Sequence, residues 1–257
     1  MPQTGIINFS RVHYNRLFCM SFIIQTSMIT QPGKLYVVAT PIGHPGDLTA
    51  RAIQVLSQVD TILCEERKVA SRLLKQLEIN KPMLELNEHN EEQIIQEILL
   101  KLIQGQNMAL ISDCGTPVFS DPGRGLLEIL YPAGIQVLPI PGASSLVAAI
   151  SICPFDLKQF LFLGFLPPKT EQRRDILSRY TNSAEALILM DTPYRLAKLL
   201  AEVAAAFGKN RTIFLAVDLT LPSEKVYLGS VQEVQQEVQN RKAEFILIIE
   251  KSSRRRR

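Results

Sequence analysis

From Lys34 onward, short apolar runs alternate with segments whose apolar residues recur at helical spacing. Residues 35–38, 61–64, 82–86, 107–111 and 137–140 read as buried strands. The segments between them read as helices. The first is opened by Asp47 or Thr49 and carries Ala52, Ile53, Val55 and Leu56 on one face. A second covers 65–77. A third, 91–103, has apolar residues at 94, 95, 98, 99 and 102, the stripe of a core-facing helix. Shorter helices are expected over 125–131 and 143–152. Repeated strand–helix units of this kind predict an α/β fold whose parallel sheet is covered on both faces.

A boundary is expected near residues 153–156. Beyond it the pattern predicts a strand at 160–163, a basic helix at 169–180 and a strand at 186–190. A helix at 192–207 follows, with Thr192 as its cap and Pro193 in its first turn. Then come a strand at 212–217, an extended segment at 224–228, a helix at 231–238 and a strand at 244–249. The chain therefore divides into an N-terminal α/β domain over 33–153 and a C-terminal α/β domain over 154–251. Residues 1–32 do not join the alternation. They hold two Arg, no Asp or Glu, and an apolar patch at 17–24. A start at Met20 or Met28, a targeting peptide and an extension outside the fold are the three readings. The tail 252–257 ends in four arginines, either a solvated end or a phosphate-neutralising one.

Composition narrows the function classes. With 46% hydrophobic and 21% charged residues and a net charge of +3, the chain has the make-up of an ordinary globular protein without a general polyanion-binding surface. Cys19, Cys64, Cys114 and Cys153 show no C-x-x-C spacing, which argues against a zinc site or a disulfide framework and fits a reducing cytoplasm. No apolar run approaches the roughly eighteen residues of a membrane-spanning helix.

The chemistry is concentrated in the loops that follow three strands: 39–47, 112–124 and 141–145. The second begins Ser112-Asp113 and contains Gly115 and Gly123, with Pro117 and Pro122 close to them. Glycines let backbone approach a ligand, and prolines stiffen the turns. Asp113 and Asp121 can accept hydrogen bonds from ribose hydroxyls or from main-chain N–H groups. The structural alternative is an Asx-turn followed by a helix cap at Ser120 or Asp121. Loops at the carboxyl ends of strands are where open α/β sheets bind ligands. Neither G-x-G-x-x-G nor G-x-x-x-x-G-K-[ST] occurs, which counts against a dinucleotide oxidoreductase, a P-loop phosphotransferase and the common Rossmann-type methyltransferase.

The turn Thr40-Pro-Ile-Gly43, the stretch from Ser112 to Gly123, Pro141-Gly-Ala-Ser144 and Phe162-Leu-Gly-Phe-Leu-Pro167 together resemble the tetrapyrrole methylase-like methyltransferases. Within that superfamily the resemblance is nearest to members that methylate a cytidine ribose 2'-oxygen in 16S rRNA, and it runs from about Gly33 to Lys251. It implies two α/β units with S-adenosylmethionine held in the cleft between them, largely by backbone. It implies Pro41 and Gly43, Asp113, Cys114, Gly115 and Thr116, and Ala143 and Ser144 on the first unit, and Met190 and Leu219 on the second, as cofactor-binding residues. It implies 16S rRNA or the 30S subunit as partner, a homodimer, a cytoplasmic location and no membrane.

Methyl transfer from a sulfonium is an in-line displacement and needs alignment rather than a metal. A ribose hydroxyl is a weak nucleophile at neutral pH, so a base or an electrostatic stabiliser is expected. The candidates are Glu65, Glu66, His89 and Asp218. His89 stands in Asn87-Glu-His-Asn-Glu91, similar to the family's His-Asn-Glu; alternatively it is a surface residue before a helix capped by Asn90. Glu65 and Glu66 are alternatively helix N-terminal charge. Three segments depart from the rRNA-methylating pattern: Cys64-Glu-Glu-Arg-Lys68, Met190-Asp-Thr-Pro-Tyr-Arg195 and Val217-Asp-Leu-Thr-Leu221. They leave open methylation of another substrate, such as a tetrapyrrole, or a non-catalytic protein that binds S-adenosylmethionine or RNA. Arg67, Arg195 and the run Lys169, Arg173, Arg174, Arg179 are the cations available to phosphates.

Overall fold

A computed structural model describes residues 31–252. The extension and the arginine tail fall almost entirely outside the described residues. The first half runs β1 (Lys34–Val38), α1 (Ala50–Gln58), β2 (Thr61–Cys64), α2 (Arg67–Gln76), β3 (Met83–Glu85), α3 (Glu91–Ile103), β4 (Met108–Ile111), α4 (Arg124–Leu130), β5 (Gln136–Ile140) and α5 (Ser145–Ile152). Its five strands are all parallel, in the order β3-β2-β4-β1-β5. Successive residues of β2 show why these runs form strands buried on both sides. Ile62 and Cys64 pack with Ala52, Leu56, Ala70 and Leu74 of α1 and α2. Leu63 packs with Ile95, Ile98, Leu102, Leu126 and Leu130 of α3 and α4.

Thr49 caps α1 by accepting the Ala52 N–H at 3.1 Å. Ile53, expected on the buried face, is exposed instead; Ala52, Val55 and Leu56 are the residues of this helix that pack on the core. The helix after the 112–124 loop is not capped by Ser120 or Asp121. It begins at Arg124 behind Gly123, whose φ is +122°, and Glu91 on α3 accepts the N–H groups of Gly123 and Leu126 at 3.2 and 3.3 Å. Asn90 does not cap α3 with its side chain. That amide folds the preceding loop, accepting from Asn87 N and donating to Glu85 O.

The second half runs β6 (Phe160–Phe165), α6 (Thr170–Arg179), β7 (Ala186–Asp191), a 3-10 turn (Pro193–Arg195), α7 (Leu196–Phe207), β8 (Thr212–Val217), β9 (Lys225–Ser230), α8 (Val231–Val238) and β10 (Phe245–Ile249). The order is β6-β7-β10-β8-β9, and only β6 and β7 are parallel. The all-parallel pattern thus ends with the first sheet. The short connection between β8 and β9 can join only antiparallel neighbours. The segment expected as one helix from Thr192 instead opens with the 3-10 turn, and Thr192 makes no side-chain cap bond.

Helices α6, α7 and α8 cover one face of this sheet. On the other face lie Leu146 and Ala149 of α5 together with Ile42 from the loop after β1. The two sheets are therefore joined by α5, and the β1, β4 and β5 loops sit against the second sheet.

Arg173 corrects the expected basic run. It is 1% exposed and forms a bidentate pair with Glu202 at 2.7 and 2.6 Å. Its guanidinium also donates to Pro167 O, Pro168 O and Thr170 Oγ1. Arg173 holds α6 to α7 and is not available to a phosphate.

Candidate active site

The helix after β1 packs on one face of the first sheet and the helix after β4 on the other. Adjacent β1 and β4 therefore form a topological switch point, and a crevice opens beyond their carboxyl ends. Three loops are tied together there. Thr40 donates its N–H to Gly115 O at 2.8 Å, and Ser112 Oγ donates to the same carbonyl at 3.0 Å. Thr116 Oγ1 reaches Ala143 O at 3.1 Å, and the Cys114 thiol points to Ile42 O. Gly115 has φ +81°, and a Cβ there would lie 3.1 Å from Ile42 Cγ2, so a side chain would strain both the turn and its packing.

The crevice is closed by the second sheet into a cleft of about 450 Å³. The first unit contributes Ile42, Cys114, Gly115, Thr116, Phe119, Ser120, Asp121 and Ser144. The second contributes Phe165, Met190, Asp191, Ala216, Asp218, Leu219, Leu221, Glu244, Phe245 and Ile246. Left-handed backbone at non-glycine positions clusters around it, at Val118, Asp218 and Thr220. Such conformations cost about 1–3 kcal/mol each and persist where the surroundings enforce them. Here the enforcing contacts include Thr220 N to Glu224 Oε2 at 2.6 Å and His44 N to Thr220 Oγ1 at 2.9 Å.

Cys114, Gly115, Thr116, Ser144, Met190 and Leu219, expected to bind the cofactor, all line the cleft. Pro41, Gly43 and Ala143 are not among the residues that line it. A Cβ on Gly43 would fall 2.6 Å from Thr220 Oγ1 and 2.8 Å from Leu219 O, so this glycine lets the β1 loop press against the second unit. Ala143 offers its carbonyl to Thr116. Asp113 also does not face the cleft. Its Oδ1 accepts the Glu66 N–H at 3.2 Å, fixing the start of α2 to the β4 loop.

The proposed bases separate in the same way. His89 is exposed on the β3–α3 loop, and Glu66 is exposed at the head of α2; neither lines the cleft. Asp218 does line it, but its carboxylate is committed to Arg241 at 2.7 Å and Ser223 Oγ at 3.0 Å. Glu65 is half-buried and makes no hydrogen bond. Burial, Asp121, Asp113, Glu88 and Glu66, in that order, push its carboxyl above the ordinary range. Asp121 lies in the cleft wall, equally uncommitted, and is pushed up by burial and by Asp113.

Two further cleft carboxylates were not singled out from sequence. Glu244 is pushed up by burial and by Asp218. Asp191 is 2% exposed. Its Oδ1 takes the Thr192 N–H at 2.7 Å and Arg195 Nε at 3.0 Å, while Oδ2 and Arg195 Nη1 are buried without partners. The only signal in the sequence was an acid at the end of an apolar strand.

Glu65, Asp113 and Asp121 share one electrostatic consequence. Their folded pKa values are raised, so the folded chain binds more protons than the unfolded one just above the ordinary carboxylate range. The resulting destabilisation is absent at lower pH and grows as pH rises through the raised values. Glu65→Gln should raise the melting temperature by about 1–2 °C at neutral pH, after allowance for screening, and by nothing near pH 4. Thermal melts at the two pH values check this; no gain at neutral pH, or an equal change at both, would contradict it.

Among the described residues, no helix is long and apolar enough to cross a membrane, and no group of three His, Cys, Asp or Glu could hold a metal ion. Residues 34–235 match the family model described as tetrapyrrole (corrin/porphyrin) methylases. A protein of Xylella fastidiosa (strain Temecula1) named ribosomal RNA small subunit methyltransferase I is 39% identical over 226 residues, covering 86% of this chain and 83% of that one. Its namesake in Escherichia coli O157:H7 is 38% identical over 222 residues, covering 85% and 78%. Among solved structures, uroporphyrin-III-C-methyltransferase of Thermus thermophilus superposes with a TM-score of 0.60 at 21% identity, covering 85% of this chain and 94% of that one. A cobalt precorrin-4 methyltransferase gives 0.62 at 16% identity, covering 84% and 94%. At these identities the two structures share the fold.

Proposed function

The chain belongs to the tetrapyrrole (corrin/porphyrin) methylase family and is an S-adenosylmethionine-dependent methyltransferase, and we propose that it methylates a ribose 2'-oxygen of small-subunit ribosomal RNA. The observation that carries the substrate is the contrast in identity. Relatives named for that RNA match at 38–39% over more than four-fifths of the chain, against 16–21% for the tetrapyrrole enzymes.

The residues present suit the cofactor. A cleft of about 450 Å³ is the size of a small-molecule site, and Met190, Ala216, Leu219, Phe245 and Ile246 give it an apolar wall. When bound, S-adenosylmethionine supplies a methyl group on a positively charged sulfur. The tied loops at Gly115, Thr116 and Ser144 would hold it largely through backbone. Asp191 Oδ2, a buried acceptor without a partner, would accept an N–H or O–H from it, which would remove the cost of that oxygen's isolation. Asp121 accepts the proton of the 2'-hydroxyl, with Glu65 beside it. A carboxylate raised toward neutrality is the better base for the task.

The same reading makes the protein a homodimer of the cytoplasm, where its ribosomal substrate is. Val226 and Leu228 on edge strand β9 and Val147 on α5 are exposed apolar side chains suited to a partner copy.

The test is transfer of a labelled methyl from S-adenosylmethionine to purified 30S subunits that lack the modification. Label is expected in 16S rRNA and not in a uroporphyrinogen offered in its place. Label in the tetrapyrrole alone would reverse the assignment.

A further inference from the structure

Helix α2 carries a run of cations. Its first turn holds Arg67 and Lys68, and the carboxylates at that end lie outside the helix: Glu66 at the cap position and Glu85, whose Oε1 accepts the Arg67 N–H. The whole helix, Arg67–Gln76, contains no Asp or Glu. Lys68, Arg72 and Lys75 recur at i, i+4 and i+7, so they share one face over about 10 Å. Like charges at this spacing destabilise an isolated helix. Three cations on other helices are neutralised within one turn: Lys101 by Glu97, Arg124 by Glu128 and Arg179 by Asp175. On α2, Lys68, Arg72 and Lys75 are exposed and pair with no described residue.

These side chains, with Arg67 and Ser71, line an open groove of about 620 Å³. Two carboxylates, Glu66 and Glu85, border it. Arg67 has a structural task, donating to Met83 O at 3.0 Å and, through its backbone N–H, to Glu85 Oε1 at 3.2 Å. The head of α2 is tied to the loop that lines the cleft: Asp113 accepts the Glu66 N–H at 3.2 Å, and the next residues of that loop, Cys114, Gly115 and Thr116, are cleft residues.

We propose that the α2 groove carries the phosphate backbone of the RNA substrate as it approaches the cleft, with Lys68, Arg72 and Lys75 as its phosphate contacts. This rests on the RNA reading above. The cations that destabilise the free helix are then compensated when RNA is bound. The loss of Arg173 to the core leaves α2 the denser cationic face.

The test is a combined variant, Lys68→Gln with Arg72→Gln and Lys75→Gln. The charge-matched control is Lys158→Gln with Lys198→Gln and Lys209→Gln, three exposed lysines of the second half. Binding to 16S rRNA is measured across a potassium chloride series, S-adenosylhomocysteine binding by calorimetry, and folding by circular dichroism. Each lost single-strand phosphate contact removes about 0.7 from the salt slope, so the α2 variant should lose about 2 and bind about tenfold or more weakly at low salt. Cofactor affinity and fold should not change, and the control should keep the wild-type slope. Wild-type RNA affinity in the α2 variant, or an equal loss in the control, would overturn the groove assignment. A wild-type protein that neither binds nor methylates RNA overturns the substrate reading itself, and the groove with it.

Discussion

Asp121→Asn should lower methyl transfer by about two to four orders of magnitude while leaving S-adenosylhomocysteine affinity nearly unchanged. Asp121 and Glu244 are the cleft carboxylates without a hydrogen bond to the protein, and Asp121 is the one beside Glu65. It lines the cleft without any hydrogen bond to the protein, whereas Asp218 is held by Arg241 and Ser223. Burial and the negative charge of Asp113 raise its pKa, so the ionised form is a stronger base than an exposed aspartate. Asparagine keeps the size and removes the proton acceptor. The acid limb of the pH–rate profile, which rises as Asp121 ionises, should disappear in the variant. Single-turnover kinetics with calorimetry of the cofactor product separate the two effects. Turnover within about threefold of wild type would remove Asp121 from the chemistry and leave Glu65 and Glu244 as the carboxylates to try.

Glu202→Ala should cost about 3–5 kcal/mol of stability, the expected penalty for stranding a buried guanidinium. Arg173 is 1% exposed and Glu202 4%, so water cannot replace the lost carboxylate. At this chain length the melting temperature should fall by about 10 °C or more. Replacing both partners, as Arg173→Met with Glu202→Leu, should recover most of the loss, since the pair's own desolvation is then removed as well. The effect reaches the site because α6 and α7 pack behind β7, whose last residue is the cleft carboxylate Asp191. Thermal and urea melts of the three variants decide it. A loss below about 1 kcal/mol in Glu202→Ala would mean that the pair is solvated.

Much of this architecture was legible because strands buried on both faces are written as continuous apolar runs. The run Thr61-Ile-Leu-Cys64 is one, with all four residues buried. What alternation could not give was strand direction in the second sheet, which depends on the short β8–β9 connection. It also could not show that Glu91, 32 residues before Gly123, caps the helix after the 112–124 loop. The three ligand loops were visible from their Gly and Pro spacing, but the direction of each side chain was not. Asp113, expected among the cofactor ligands, turns toward Glu66, and Asp121, open to either a ligand or a helix-cap role, stands in the cleft. Arg173 looked like one cation in a basic run, because its partner lies 29 residues away on the next helix. Asp191 stood in the segment 190–195 without a role of its own; its unpaired oxygen at the cleft wall sets it apart.

The substrate atom is read most directly by alkaline hydrolysis. A 2'-hydroxyl is what cleaves RNA in alkali, so a ribose methylated at that oxygen leaves its neighbouring phosphodiester intact. The wild-type protein is incubated with S-adenosylmethionine labelled in the methyl group and with unmodified 30S subunits, and the 16S rRNA is then hydrolysed to completion. The predicted result is label confined to an alkali-resistant dinucleotide. Label recovered only in mononucleotides, marking a base methylation, or no label in the RNA would contradict it.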